Sequence, residues 1–161
     1  MPARLTHSAL AHATTELAAR DRDLARIVAK HGVPPMWGRR SGFPTLVWII
    51  LEQQVSIAAA RTLFRRLGEQ LGEDGVSPDA VAAAGVNGLR SMGLTRQKAR
   101  YCHELANRVL DGRLDLAAVG RWPEDRAREA LLDVPGIGHW SIDVYFLMAL
   151  RRPDVWPRGD L

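Results

Sequence analysis

The sequence has a single cysteine, Cys102, among its 161 residues. That excludes an internal disulfide framework and any thiolate-bound cluster held by this chain alone. Cys102 lies among helix-forming residues and reads as an inert, partly buried thiol. The five histidines (His7, His12, His31, His103, His139) include no His-x-x-x-His pair, so no catalytic transition metal is expected. Long hydrophobic runs are also missing: the longest, Leu46 to Leu51, is far too short to cross a bilayer. The opening Met1-Pro2-Ala3-Arg4 lacks the apolar core of a secretory signal, and a cytoplasmic location is the expectation. Lysine is nearly absent, since Lys30 and Lys98 are the only two among 22 basic residues.

What is present is an ordinary globular composition, 47% hydrophobic and 25% charged. A net charge of +4 permits an anionic partner without requiring one. The apolar spacing is helical throughout, with no sustained strand alternation. Ser8 to Ala19 and Asp21 to Lys30 read as amphipathic helices, the second ended by Gly32-Val33-Pro34-Pro35. Phe43 to Gln54 is apolar on nearly every side and should lie in the core. Ser56 caps a helix running to about Leu71, with Arg61, Arg65 and Arg66 on its polar side. Short helices follow at Pro78 to Ala84 and Val86 to Met92, broken by Gly85. Thr95 caps a long helix, Arg96 to Leu110, which ends at Asp111-Gly112. A last pair, Pro123 to Leu132 and His139 to Leu150, encloses Val134-Pro135-Gly136-Ile137-Gly138. The prediction is one all-α domain over residues 1–161, with its helix-hairpin-helix at about 123–150.

That hairpin carries the strongest local signal. Two glycines one residue apart let the backbone turn tightly and clear side chains from one surface of the turn. The amides of Gly136, Ile137, Gly138 and His139 can then point outward together, just ahead of a helix N-terminus, which suits a phosphate. Such a contact positions nucleic acid without reading its sequence. The alternative is a tight loop between packed helices, but the apolar flanks (Leu131, Leu132, Val134, then Trp140, Val144, Leu147, Met148) favour the phosphate-binding form.

The segment Leu131-Leu132-Asp133-Val134-Pro135-Gly136-Ile137-Gly138-His139-Trp140-Ser141 resembles the hairpin of the helix-hairpin-helix (HhH-GPD) DNA glycosylases. Asp154-Val155-Trp156-Pro157-Arg158-Gly159-Asp160 is similar to their catalytic loop. Leu51-Glu52-Gln53-Gln54-Val55-Ser56 and Gly93-Leu94-Thr95-Arg96-Gln97-Lys98-Ala99 resemble two motifs of the 3-methyladenine DNA glycosylase II branch. The four motifs stand in the family's order and the resemblance spans Asp21 to the end.

The resemblance implies base-excision repair: monofunctional hydrolysis of the N-glycosidic bond of alkylated purines, after the nucleotide is flipped out of double-stranded DNA. Asp160 matches the catalytic carboxylate, which stabilises charge developing on the sugar or orients water. Trp140 stands where lyase-type relatives carry a Schiff-base lysine. It is either a wall of the base pocket, stacking on a cationic base, or a core residue. Gln54 matches the residue that fills the gap left by the flipped base, and bracing of the turn is the equal alternative. Arg96 and Lys98 are candidate phosphate contacts or solvated residues of a helix start. The backbone carbonyls of Leu132, Val134 and Ile137 match positions that hold a monovalent cation, sodium or potassium, beneath the hairpin; no other cofactor is implied.

Other specificities within the family, for mismatched or oxidised bases, and a non-catalytic DNA-binding module remain as alternatives. Only Leu161 follows Asp160, so the expectation is a fold shortened after its catalytic loop, without the family's C-terminal helices: either a fragment or a naturally short chain, and in both cases poorly active by itself. The Phe43 to Leu51 helix and the N-terminal helices should then lack part of their apolar cover. A complete protein of this kind should act as a monomer, with no membrane partner.

Overall fold

The computed structural model describes residues 2–36, 38–157 and 159. Among them the chain forms nine helices and no strand: α1 (His7–Arg20), α2 (Arg22–His31), α3 (Phe43–Glu52), α4 (Ile57–Gln70), α5 (Pro78–Ser91), α6 (Arg96–Leu110), α7 (Leu116–Arg121), α8 (Glu124–Leu132) and α9 (His139–Met148). The starts of α4, α5 and α6 are fixed by Ser56, Ser77 and Thr95, whose hydroxyls accept from Ala59, Ala80 and Lys98 amides. Each cap satisfies one of the donors a helix start leaves open. At Gly85 the backbone turns to φ 61° and ψ 174°, so α5 is two short helices joined by a kink, as the glycine spacing predicts.

α3 is the axis of the core. Leu46, Val47, Ile49, Ile50 and Leu51 are essentially inaccessible, and burial of each such side chain contributes about 1.5–3 kcal/mol. The helix packs against α4, α6 and α9, while α5 packs along α6 and α8 joins α7 to α9. The expected loss of cover on α3 does not occur along most of the helix: of its apolar residues, Phe43, Leu46, Val47, Ile49, Ile50 and Leu51 are buried, and only Pro44 is exposed and Trp48 half-buried. On the N-terminal hairpin the expectation is met. α1 and α2 pack on each other, and Leu17, Leu24 and Ile27 remain exposed.

Two further readings need correction. α7 was not foreseen, because its six residues are too few to show a period; its start is set by Asp115, which accepts from the Ala118 amide at 2.9 Å. Cys102 is completely rather than partly buried. Burial pushes its thiol up to about 12, with Lys98 opposing slightly, so at neutral pH it is protonated and inert.

Candidate functional site

The hairpin between α8 and α9 is held from three directions. Gly136 has φ 87°, and the Tyr101 ring lies so close that a Cβ on Gly136 would stand 2.2 Å from Cδ2. Only glycine fits there, for both reasons. Gln53, just past the end of α3, donates its side-chain amide to the Gly136 carbonyl at 2.7 Å and to Ser141 Oγ at 3.0 Å. Arg108 on α6 pairs with Asp133 at the entry to the turn and with Glu104 at 2.8 Å.

Beyond this clamp the turn opens outward. Gly138 begins α9 without a side-chain cap and has nothing within 4 Å of its Cβ direction. Gly138 and His139 are exposed, Gly136 is half-buried and the Ile137 side chain is buried; the Ile137 amide donates to the Val134 carbonyl, so, against the expectation, it is not among the donors open to a phosphate. The first amides of α9 therefore present open donors at the positive end of a helix.

Beside the hairpin lies a cleft of about 910 Å³. One wall comes from α9, with Trp140, Ser141 and Val144; the other comes from Arg39, Glu52 and the turn after α3. Trp140 packs against the buried core and also lines the cleft, so its two readings are compatible. Gly159 lines the cleft as well; the next residue, Asp160, lies outside the described residues. The carbonyl of Val134 accepts the Ile137 amide at 3.0 Å, which closes the hairpin turn.

The turn after α3 divides the work between two neighbouring glutamines. Gln53 is the brace, and Gln54 is exposed at the cleft mouth with φ 59°. The exposed Val55 and Ile57 flank it. Bracing therefore belongs to the residue before the one singled out from sequence.

Arg96 is exposed at the start of α6, but Lys98 turns inward. Its ammonium donates to the Leu51 carbonyl at 2.7 Å, and burial holds its pKa below the ordinary lysine value, with Cys102 opposing. The charge of Lys98 is thus spent on the C-terminal end of α3 instead of being projected toward a phosphate.

Sequence reasoning missed Arg39 and Glu52. The guanidinium of Arg39 meets the Glu52 carboxylate with both of its terminal nitrogens, at 2.9 and 2.6 Å. It also lies 4.6 Å above the Trp48 ring, which stacks on Phe64 at 4.8 Å. The two partners stand thirteen positions apart, so no local period links them. The only available signal was a glutamate ending an otherwise apolar helix.

Residues 47–161 match the family model described as HhH-GPD superfamily base excision DNA repair protein. The chain belongs to that family. DNA-3-methyladenine glycosylase 2 of Escherichia coli (strain K12) is 31% identical over 120 residues, covering 69% of this chain and 42% of that protein. The crystal structure of a DNA-3-methyladenine glycosidase from Bacillus halodurans superposes with a TM-score of 0.76 at 28% identity, covering 90% of this chain and 67% of that one. The 3-methyladenine DNA glycosylase of Schizosaccharomyces pombe, solved with abasic DNA, shares the fold with a TM-score of 0.81 at 22% identity, over 93% of this chain and 75% of that one. The chain spans about half the length of the curated relatives it matches.

Proposed function

We propose that this HhH-GPD chain is a monofunctional DNA glycosylase that hydrolyses the N-glycosidic bond of alkylated, 3-methyladenine-type purines in double-stranded DNA. The observation that carries this is the junction of two features: open amides at the start of α9 and, beside them, a cleft walled by Trp140. The first suits a phosphate of the DNA backbone. The second suits a purine rotated out of the stack, because a glycosidic bond inside the duplex is out of reach of any side chain. Gln54 stands exposed at the mouth between them and would occupy the space the base vacates.

The amines of this chain support hydrolysis without strand cleavage. A lyase needs a lysine that can reach the sugar. The chain has two, neither lines the cleft, and Lys98 is engaged with Leu51. As the base departs, positive charge grows on the sugar, and a carboxylate in place beforehand stabilises it. Asp160 is assigned this role from its loop motif. The carbonyls of Leu132, Val134 and Ile137 are neutral oxygen donors of the kind a hard cation takes. They would hold a sodium or potassium ion under the hairpin, where its charge would reinforce the phosphate site.

The test is release of methylated bases from alkylated duplex DNA, run with borohydride present and absent. Base release that leaves an intact strand and no trapped protein–DNA adduct is expected. A trapped adduct would overturn the monofunctional assignment; DNA binding with no base release would reduce the protein to a binding module.

A further inference from the structure

Gln53 reaches from the end of α3 to the hairpin and is held there by both hydrogens of its side-chain amide. One is donated to the Gly136 carbonyl at 2.7 Å and the other to Ser141 Oγ at 3.0 Å. Such an amide has only two hydrogens to donate, so its nitrogen has nothing further to offer. Its orientation is fixed as well. The Gly136 carbonyl accepts and never donates, so the amide cannot turn over without setting oxygen against oxygen.

The oxygen of the same amide is left over. Among the described residues nothing donates to Gln53 Oε1, and Gln53 is half-buried and lines the cleft. The other polar side chains of that wall are engaged or turned outward. Each Glu52 oxygen accepts from Arg39, Ser56 Oγ caps α4, and Gln54 is exposed at the mouth. The remaining side chains of the cleft include Val55, Ile57, Trp140, Val144 and Met148. Gln53 thus sets one rigid acceptor in a largely apolar surround, where an unmet hydrogen-bonding group costs most.

We propose that Gln53 is a specificity-determining residue: its Oε1 accepts from the exocyclic amine of a 6-amino purine, so the cleft selects such a base over one of equal size without that donor. This rests on the reading of the cleft as a base pocket and adds the chemical class of base it takes. A 6-oxo purine in the same place sets a second acceptor against Oε1 and leaves both oxygens unmet. A base still joined to a strand held at the hairpin is not free to turn in its plane and offer another edge. Trp140 is indifferent to this choice, since stacking acts through the face of the ring. Gln53 acts at its edge, and the two bonds that brace the hairpin are what hold its oxygen in place.

The experiment compares deoxyadenosine with the deoxyriboside of 6-methylpurine, in which a methyl group of similar size replaces the amine and the base keeps no donor. Both are neutral, and binding of each is measured by titration calorimetry on one protein preparation. The ratio of the two affinities is unaffected by the fraction of protein folded, and it needs no bond cleavage. An absence of base release, which would sink the glycosylase reading, therefore leaves this readout intact. The unaltered protein should bind deoxyadenosine about three- to tenfold more tightly, the net worth of one hydrogen bond. Gln53→Met removes the acceptor together with the brace and should bring the ratio to about one. Gln53→Lys keeps a donor for Gly136 but offers no acceptor. It should lose the preference too, which covers the case where Gln53→Met fails to fold. Equal binding of the two nucleosides by the unaltered protein would overturn the proposal and leave the base pocket standing; binding of neither would remove the base pocket and the proposal with it. A preference that survives in Gln53→Lys would also overturn it.

Discussion

The two walls of the cleft are built by opposite means. The hairpin wall is mostly backbone: a glycine pressed under Tyr101, a second glycine with open space around it, and the uncapped start of α9. The facing wall is mostly side chain, with Arg39 on Glu52, and Gln53 reaching across to Gly136. A backbone site requires particular residues at fixed local spacing, because only glycine tolerates the turn and the close approach. A side-chain site requires only that compatible groups meet after folding, and many sequences achieve that. The first kind is legible as a motif and the second is not.

The two hairpin glycines sharpen this contrast, since they should fail in different ways. Gly136→Ala is expected to have the largest effect on stability. Its Cβ would meet the rigid Tyr101 ring at 2.2 and 2.3 Å, in a backbone conformation of φ +87° that L side chains rarely adopt. Overpacking and left-handed strain together should cost about 2–5 kcal/mol, read as a drop in the urea midpoint. Adding Tyr101→Ala should recover the steric part and leave the backbone part. Unchanged stability in the single variant would mean that the ring swings aside at little cost, and that the clamp on the turn is loose.

Gly138→Glu should leave the fold intact, because nothing lies within 4 Å of its Cβ direction and φ is −100°. Its effect falls on binding. A carboxylate beside open amides competes for them and repels phosphate, so affinity for duplex DNA should fall about tenfold or more. The loss should be the same with and without a damaged base, because a phosphate contact carries no base information. A loss confined to damaged DNA would move Gly138 from the backbone wall to the base pocket.

How far the sequence could be read follows the same division. Eight of the nine helices were legible, because caps such as Ser56 and Thr95 act within four residues and apolar periods repeat every turn. The hairpin and Trp140 were legible as a local motif. α7 was hidden by its shortness. Arg39 and Glu52 were hidden because the pair forms across the chain, with no period connecting its members. The Gln53-Gln54 pair lies between these cases. Two adjacent glutamines announce a polar turn, but which one braces depends on the backbone: Gln53 reaches back to Gly136, while Gln54 turns left-handed and outward. Lys98 was misread for a related reason. A lysine near a helix start looks solvated in sequence, and only the packing of α6 against α3 shows that Leu51 lies within its reach.

Lys98 also supports the smallest and most discriminating prediction. Lys98→Met keeps the apolar stem and removes the ammonium, leaving the Leu51 carbonyl at the end of α3 without its 2.7 Å donor. Loss of one charged hydrogen bond to a partly buried acceptor should cost about 1–2 kcal/mol of stability. Because the charge points inward, the dependence of DNA affinity on salt should not change. Each phosphate neutralised contributes about one to the slope of log affinity against log salt, so Arg96→Gln, at the exposed start of the same helix, should lower that slope by about one if it touches phosphate. Unfolding and salt-titrated binding, measured on both variants, separate the roles of two residues only two positions apart. A Lys98→Met protein with full stability and a slope reduced by about one would place the ammonium on DNA, and the tie between α6 and α3 would have to come from packing alone.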